Sequence, residues 1–352
     1  MRITTPFRPR CSLRAILVLA AGVLATGCAS TPAAPETDTP QPSVQPPRDL
    51  LSPAASIRDD TVELLVNADV GRVVFFGRPG GDNLLWLDPR ATEKAYASRH
   101  GRTWANWGGD KVWVAFQNMW PRIYPLSPNP WPPDGIIDGG AWTLLVHAPD
   151  TLVIESRMNP ELGVVARRRF ELLGDGEVLI TNTLTRRHAS PFPVMIWSVT
   201  QTLPPDAVMM EVAPDRPPAT PRVAIWDQPH ADERWQDLAA GRVVQWLAPD
   251  EKARKTGSLG RGIAATYGNQ RFLQAHAFDP RAAFPDAANV HLYHQPGNYT
   301  ELELLSPEVQ LAPGQTLTHR VLWRLEDEPG HQPEATAQRL IEFIGHSRDR
   351  LP

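Results

Sequence analysis

Two glutamates on one predicted strand are the residues best placed for proton transfer in this sequence. Residues 299–304 predict a strand, and strand alternation places Glu301 and Glu303 on the same face. His291 and His294 lie just upstream. A carboxylate beside an imidazole can exchange protons near neutral pH, so these residues are candidates for acid–base chemistry. A solvated acidic strand face is the alternative interpretation of the same pattern.

A tryptophan-rich segment is the second candidate for chemistry. Six of the 12 tryptophans fall within residues 104–142, where glycine and proline interrupt the chain. An indole ring can stack on the C–H face of a pyranose, and short polar side chains beside it can bind the hydroxyls. The segment therefore predicts a carbohydrate site, with candidate residues Trp104, Trp107, Asp110, Lys111, Trp131 and Asp134. Alternatively, these tryptophans close one end of the folded domain, with Asp110 and Lys111 paired on its surface.

Charge and composition argue against several other kinds of site. With 35 basic and 39 acidic residues, the chain has no basic field for a nucleic-acid backbone. The ten histidines show no paired metal-ligand spacing, and both cysteines precede residue 29. No serine has the Gly-x-Ser-x-Gly context of a hydrolase nucleophile. We therefore predict neither a metal ion nor a cofactor.

Short strands must position these residues. Segments rich in β-branched and aromatic residues alternate with turn residues, at 61–66, 72–76, 142–147, 151–158, 164–172, 177–184, 194–202, 271–278, 299–304 and 317–325. Their spacing leaves no room for the crossover helices of a parallel sheet, which predicts an all-β, antiparallel sandwich. One helix is predicted over residues 333–345, with proline in its first turn. The proline-rich residues 204–221 predict a loop.

Two smaller patterns support a sandwich. Gly174, Asp175 and Gly176 separate two predicted strands and favour a hairpin. Among three consecutive arginines, alternation directs Arg168 to the face opposite its neighbours, which favours surface or inter-sheet pairing over a basic binding patch.

The amino terminus has the features of a lipoprotein leader. Residues 1–27 carry four arginines, no acidic residue and an apolar run too short to span a bilayer, and small residues precede Cys28. We expect cleavage before Cys28 and its lipidation, which anchors the chain to the membrane. Removal of the four arginines would take the net charge from −4 to −8. Ala29 in place of aspartate implies, by resemblance to bacterial lipoproteins, the outer membrane, with the body facing the periplasm.

Beyond the leader, the sequence predicts a tethered domain. Residues 28–56 are rich in proline and small polar residues and cannot bury a core, so they predict an extended tether. Residues 57–330 predict the sandwich, and residues 331–352 predict a helix packed on it.

Several motifs together resemble those of the galactose-mutarotase-like superfamily, and more closely a family of uncharacterised domains within it. They are Trp107-Gly108-Gly109-Asp110-Lys111, Trp131-Pro132-Pro133-Asp134, Lys255-Thr256-Gly257, and an acidic strand, residues 301–307, that is followed by Leu311-Ala312-Pro313-Gly314. The resemblance implies a β-supersandwich with a concave sugar cleft. It implies that Glu301 occupies the position of the catalytic base of an aldose 1-epimerase, and that Lys255 and Glu303 belong to the substrate-binding set.

The sequence departs from the mutarotase pattern at the acid. Mutarotases place a histidine shortly after a Pro-x-Pro-Val strand entry, whereas here residues 191–194 lead into a strand without one. His294 is our candidate for a relocated acid. Three hypotheses follow: an envelope lipoprotein that binds a saccharide or glycan without efficient turnover, an active mutarotase-like or other carbohydrate-modifying enzyme, and a structural envelope protein that binds an unknown protein partner through a tryptophan-rich surface.

Overall fold

Two antiparallel sheets pack face to face in the computed structural model, which describes residues 54–89, 106–125, 134–213, 223–224, 235–246, 253–328, 330 and 332–351. Strands are numbered in chain order. The nine-stranded sheet has the order β1 (Ala54–Arg58), β2 (Glu63–Asn67), β3 (Arg72–Gly77), β4 (Gly109–Trp113), β9 (Trp197–Thr202), β18 (Tyr299–Leu305), β17 (Val290–Gln295), β14 (Arg254–Ser258) and β11 (Val223–Ala224).

The second sheet has ten strands among the described residues. Its order is β12 (Trp235–Leu238), β13 (Val243–Trp246), β10 (Ala207–Glu211), β15 (Gly262–Tyr267), β16 (Gln270–His276), β19 (Thr316–Asp327), β8 (Glu177–Arg186), β7 (Val164–Gly174), β6 (Thr151–Ser156) and β5 (Trp142–His147). The expected all-β antiparallel supersandwich is therefore confirmed.

The main core lies between the two sheets. Phe76 of the nine-stranded sheet contacts Phe272 and Trp323 of the ten-stranded sheet, with ring centres 5.0 Å apart in both pairs. Aromatic pairs of this tilted or edge-on kind add to the free energy gained from burial. Arg168 and Asp110 form a buried ion pair across the same interface, so Arg168 does face inward between its two solvent-facing neighbours. The two sheets are thus joined by apolar and charged contacts.

The predicted carboxy-terminal helix is confirmed and spans Pro333–Ser347. Leu340, Phe343 and Ile344 are buried in a second apolar cluster with Leu273 and Leu322 of the ten-stranded sheet. Because these two strand positions alternate with the core-facing Phe272 and Trp323, the helix covers the outer face of that sheet. A short helix, Trp120–Ile123, lies after β4. Within the described part of the chain, no helix is both long and apolar enough to cross a membrane.

Two local predictions have different outcomes. The hairpin at Gly174, Asp175 and Gly176 connects β7 to β8, and all three residues have the positive φ that a tight turn of this kind uses. The prediction of a loop over residues 204–221 is wrong in part, because residues 207–211 form β10. The buried run of Ala207, Val208, Met209 and Met210 forms a strand between β13 and β15 despite the nearby prolines.

Candidate functional site

One face of the nine-stranded sheet carries most of its buried charge. The opposite face meets the ten-stranded sheet, where Thr200 and Asp110 contact side chains of that sheet. Because successive residues of a strand point to opposite faces, the residues that alternate with Thr200 and Asp110 point away from the ten-stranded sheet. Their register forms two rows, one through Gln201, Glu301, Tyr293 and Lys255 and the other through Lys111, Val199, Glu303 and His291. We call this surface the outer face.

Glu303 is the most strongly anchored carboxylate of the outer face. Lys255 Nζ lies 2.9 and 2.8 Å from its two oxygens, and Trp197 Nε1 donates a hydrogen bond to Oε2 at 2.9 Å. His291 Nδ1 lies 3.4 Å from the same oxygen. Burial alone would raise the pKa of Glu303, but Lys255 and His291 outweigh it and hold the pKa well below its usual value. Glu303 is therefore a fixed negative charge near neutral pH.

A similar arrangement surrounds Asp138, which lies outside any strand. Trp113 Nε1 donates to Asp138 Oδ2 at 3.0 Å, and the Arg72 guanidinium forms an ion pair with the other oxygen. Lys111 Nζ lies 4.6 Å from the Trp113 ring centre, as Lys255 Nζ lies 4.5 Å from that of Trp197.

The two indoles meet edge to face, with ring centres 4.9 Å apart. The outer face thus repeats one motif, in which an indole N–H binds a carboxylate while a lysine ammonium lies near the ring.

Glu301 is held differently from the carboxylates of Glu303 and Asp138. It accepts a hydrogen bond from Gln201 Nε2 to Oε1 at 2.8 Å, and its carboxyl group lies within hydrogen-bonding reach of that of Glu303. Burial first, and then the negative charge of Glu303, raise the pKa of Glu301 to about 7, although Lys111 and Lys255 oppose the shift. Burial similarly lowers the pKa of Lys111 to about 8. The carboxyl group of Glu301 and the amino group of Lys111 can therefore both gain or lose a proton near neutral pH, as acid–base chemistry requires.

Aromatic rings adjoin this charged region. The Trp86 ring centre lies 4.7 Å from that of Tyr299, which lies 6.1 Å from that of Tyr293. Both tyrosines are only partly buried. Three rings of this kind offer flat apolar surface beside hydrogen-bonding groups, which is the usual composition of a small-molecule site.

The structure brings four of the sequence candidates together on the outer face: Lys111, Lys255, Glu301 and Glu303. Trp104 and Trp131 lie outside the described residues, as does the lipidation candidate Cys28.

Asp110 requires a correction, because its side chain points between the sheets, where it accepts hydrogen bonds from Arg168 and, at 2.9 Å, from Thr200 Oγ1. Its partner in sequence, Lys111, faces the other way, so the two do not form a surface pair. Successive residues of a strand point to opposite faces, so Asp110 lies between the sheets while Lys111 lies on the outer face.

His294 also requires a correction as the candidate acid. It lies on the inner face of β17, with Nδ1 3.1 Å from Thr300 Oγ1 and its ring centre 5.2 Å from that of Trp246 in the ten-stranded sheet. It cannot reach a ligand beside Glu301 because the sheet itself intervenes. His291, three residues earlier on the same strand, is the histidine on the outer face.

Trp107 lies in an apolar cluster, and Asp134 lies in a buried polar environment. Trp107 is buried in an apolar cluster with Val70 and Val74. Asp134 Oδ2 accepts a hydrogen bond from Asn159 at 2.8 Å, and burial raises the pKa of Asp134 to about 6. Asp134 lines a small internal cavity with Trp113 and Asp138.

The described tryptophans of residues 104–142 are largely core residues. Trp107, Trp113, Trp120 and Trp142 each expose 6% or less of their surface. Of the two interpretations of this segment, closure of the fold therefore accounts for these four rings, and Trp113 serves in addition as the hydrogen-bond donor to Asp138. They do not form an exposed tryptophan-rich surface for a protein partner.

Sequence reasoning missed Arg72, Asp138, Trp197 and Gln201. The alternation of Trp197, Val199 and Gln201 along β9 could have indicated a common face, but their partners come from strands distant in sequence. The described residues contain no group of three or more His, Cys, Asp or Glu side chains arranged to hold a metal ion.

Solved structures with the same architecture include a candidate aldose 1-epimerase from Escherichia coli K12, which is 13% identical with a TM-score of 0.52; the match covers 78% of this chain and 99% of that one. A galactose mutarotase-like protein from Lactobacillus casei is 10% identical with a TM-score of 0.52, over 78% and 100% of the two chains. The GalM/aldose epimerase homologue from C. elegans is 12% identical with a TM-score of 0.51, over 78% and 99%. At these identities the similarity establishes the fold.

Sequence comparison places the chain more specifically. Among curated proteins, none matches it. A family model described as "Domain of unknown function (DUF4380)" matches residues 55–326, which include both sheets except Ala54 and Asp327 at their ends, and all the charged residues of the outer face. This chain therefore belongs to the DUF4380 family.

Proposed function

We propose that this protein binds a saccharide at the outer face of the nine-stranded sheet, with the Glu301 carboxylate as the central acceptor for sugar hydroxyls. The observation that carries the proposal is the difference between Glu301 and its neighbours. Glu303 and Asp138 are each occupied by a cation and an indole N–H, whereas Glu301 contacts no cation of this kind among the described residues, accepts a hydrogen bond from the Gln201 amide and lies within hydrogen-bonding reach of Glu303. Glu301 thus keeps acceptor capacity for a ligand.

The free-energy cost of burying the charged side chains of the outer face supports a functional role for them. Burying charged groups is unfavourable unless they are well paired, and an apolar cluster of similar volume is often at least as stable. Arg72, Lys111, Glu303 and His291 expose 2% or less of their surface, while Glu301 and Lys255 expose 6% and 8%. The cluster is therefore more accessible at Glu301 and Lys255, and these are the groups that we assign to ligand contact.

The nature of the ligand is proposed from the fold and the chemistry together. Proteins named for aldose epimerases and galactose mutarotases share this fold, and their names denote sugars. A carboxylate, an amide and a lysine can bind hydroxyl groups of both donor and acceptor type, and the adjacent Trp86, Tyr299 and Tyr293 rings can pack on a pyranose face. A neutral saccharide satisfies these features.

Titration calorimetry with a panel of neutral mono- and oligosaccharides tests the proposal. We expect weak binding, because sugar hydroxyls exchange hydrogen bonds with water for similar bonds with protein. Glu301→Gln should weaken binding about tenfold, since hydrogen bonds to a charged acceptor contribute about 1.5–3 kcal/mol. Glu171→Gln changes a glutamate of the other sheet and should leave affinity unchanged. Binding that is equal in wild type and Glu301→Gln would contradict the proposal.

We favour binding without efficient turnover, because no histidine occupies the expected acid position and His294 faces the core. Catalysis is a second candidate that one observation favours: the raised pKa of Glu301 and the lowered pKa of Lys111 both approach neutrality. If these groups act as base and acid, polarimetry should detect faster exchange of glucose or galactose anomers with wild type than with Glu301→Gln. Equal rates for both proteins would support binding alone.

We also propose that the protein is a lipoprotein of the bacterial envelope, anchored through Cys28 and facing the periplasm. The support for this location is the leader sequence of residues 1–27 and the proline-rich segment that follows it.

A further inference from the structure

A second cavity lies where strand ends meet the last turn of the carboxy-terminal helix. Its volume is about 530 Å³, and its lining includes Arg261, Phe278, Leu317, His319 and Arg348. Cavities of roughly 300–1,000 Å³ typically hold small organic ligands. None of the lining residues lies among the charged residues of the outer face, so the cavity is a separate site.

Two buried histidines of the cavity wall belong to one hydrogen-bonded chain. The Asn289 amide is oriented by Gly260, which donates its N–H to Oδ1 at 3.0 Å and accepts from Nδ2 at 2.7 Å. Asn289 Nδ2 also lies 3.0 Å from His276 Nε2, and His276 Nδ1 lies 2.9 Å from His319 Nε2.

Burial lowers the pKa of both imidazoles, so they add no positive charge to the cavity near pH 7. His319 Nδ1 is shielded from solvent and has no hydrogen-bond partner among the described residues. The charge of the cavity is therefore decided by its other side chains.

The charge of the cavity favours an anion. Its lining has two arginines, Arg261 and Arg348, and one carboxylate, Asp279. Glu211 lies behind the lining, with Oε1 3.8 Å from Arg261 and 3.9 Å from Arg242. Burial raises the pKa of Glu211, and the nearby arginines oppose that shift. A positive lining is notable in a chain of net charge −4.

We propose that this cavity is a binding site for a small organic anion, in which a carboxylate or phosphate group is attached to an apolar body. Arg261 and Arg348 bind the oxyanion, because guanidinium groups match the geometry of these oxygens. Phe278 and Leu317 contact the apolar body. The inference is independent of the saccharide site, since the two share no residue.

Calorimetric titration of the full chain with benzoate, phenyl phosphate and the neutral analogue benzyl alcohol tests this inference. At least one anion should bind at millimolar or lower concentration, and benzyl alcohol should bind about tenfold more weakly than that anion. Stronger binding of phenyl phosphate would identify a phosphate ester as the ligand class, and stronger binding of benzoate would identify a carboxylate. No binding by either anion, or equal binding by benzyl alcohol, would overturn the proposal.

A matched pair of variants locates the site. Arg348 is exposed at the cavity, so Arg348→Gln should fold normally and weaken anion binding about tenfold. Arg350→Gln is the control, because Arg350 lies two residues away and pairs with Glu177 instead of lining the cavity. If the two variants bind the anion equally well, the cavity is not the site.

Discussion

The Lys255 ammonium lies 2.8 Å from Glu303 and 4.5 Å from the centre of the Trp197 ring, while Trp197 itself donates to the same carboxylate. The three side chains come from β14, β18 and β9, so the arrangement ties three strands together on the outer face. Burial raises the pKa of Glu301, two residues away, and the fixed negative charge of Glu303 raises it further, whereas the charge of Lys255 opposes the shift. Lys255 and Glu303 thus set the electrostatic environment of the proposed ligand-binding carboxylate.

Removing the Lys255 charge should therefore destabilise the fold. We expect Lys255→Met to lower the free energy of unfolding by about 3–5 kcal/mol, because it leaves the buried Glu303 carboxylate without its cation. Arg167→Met breaks an exposed ion pair with Glu155 and should cost less than about 1 kcal/mol. Urea denaturation measures both. Similar losses in the two variants would show that the Lys255–Glu303 pair has no special structural importance.

The pH dependence of stability should reveal the raised pKa of Glu301. Its pKa is about 7 in the folded protein against an ordinary value of 4.5, so between these pH values the folded state binds a proton that the unfolded state has lost. The contribution of Glu301 to stability is therefore present below about pH 4.5 and is lost as pH rises to about 7, by at most about 1.4 kcal/mol per pH unit.

Glu301→Gln should remove this component, because glutamine does not titrate. Urea denaturation of wild type and variant at several values between pH 4.5 and pH 7.5 measures the difference between their slopes. Parallel curves would mean that Glu301 titrates at an ordinary pKa.

Two histidines on one strand provide a test of the face assignment. His291 lies 3.4 Å from Glu303 on the outer face, whereas His294 contacts Thr300 and Trp246 on the inner face. His291→Gln should weaken saccharide binding severalfold by disturbing Glu303, and His294→Gln should leave the affinity of the folded protein unchanged. Calorimetry of both variants is the measurement. An effect confined to His294→Gln would place the ligand on the wrong side of the sheet for our proposal.

The proposed lipid anchor can be tested in cells of a bacterial host. Cys28→Ser removes the thiol that would be lipidated, so the variant should either leave the membrane fraction or remain unprocessed. Fractionation and the mass of the mature protein measure the two outcomes. Unchanged membrane association together with unchanged mature size would contradict anchoring at Cys28.

The sequence predicted the sandwich because alternation and turn residues are local signals. The hairpin at residues 174–176 and the strand from Trp142 to His147 follow directly from such patterns. Strand β10 was missed because the prolines around it favour a loop, whereas its burial between β13 and β15 decides its structure.

The candidate site was predictable only in part, for a related reason. Glu301 and Glu303 share a face through local alternation, but the register between distant strands determines what faces them. Asp110 and Lys111 are adjacent in sequence and lie on opposite faces of the sheet. No local pattern shows which of the two belongs to the site, and the same ambiguity affected His291 and His294.

A crystal structure of the protein with the saccharide that binds most tightly in calorimetry is the most direct test of the central claim. Our account predicts a sugar on the outer face of the nine-stranded sheet, with a hydroxyl oxygen about 2.6–3.2 Å from the Glu301 carboxylate. It also predicts that the sugar contacts at least one of the Trp86, Tyr293 and Tyr299 rings. A sugar bound elsewhere on the protein, with Glu301 still bonded to Gln201 and untouched by the ligand, would contradict the account.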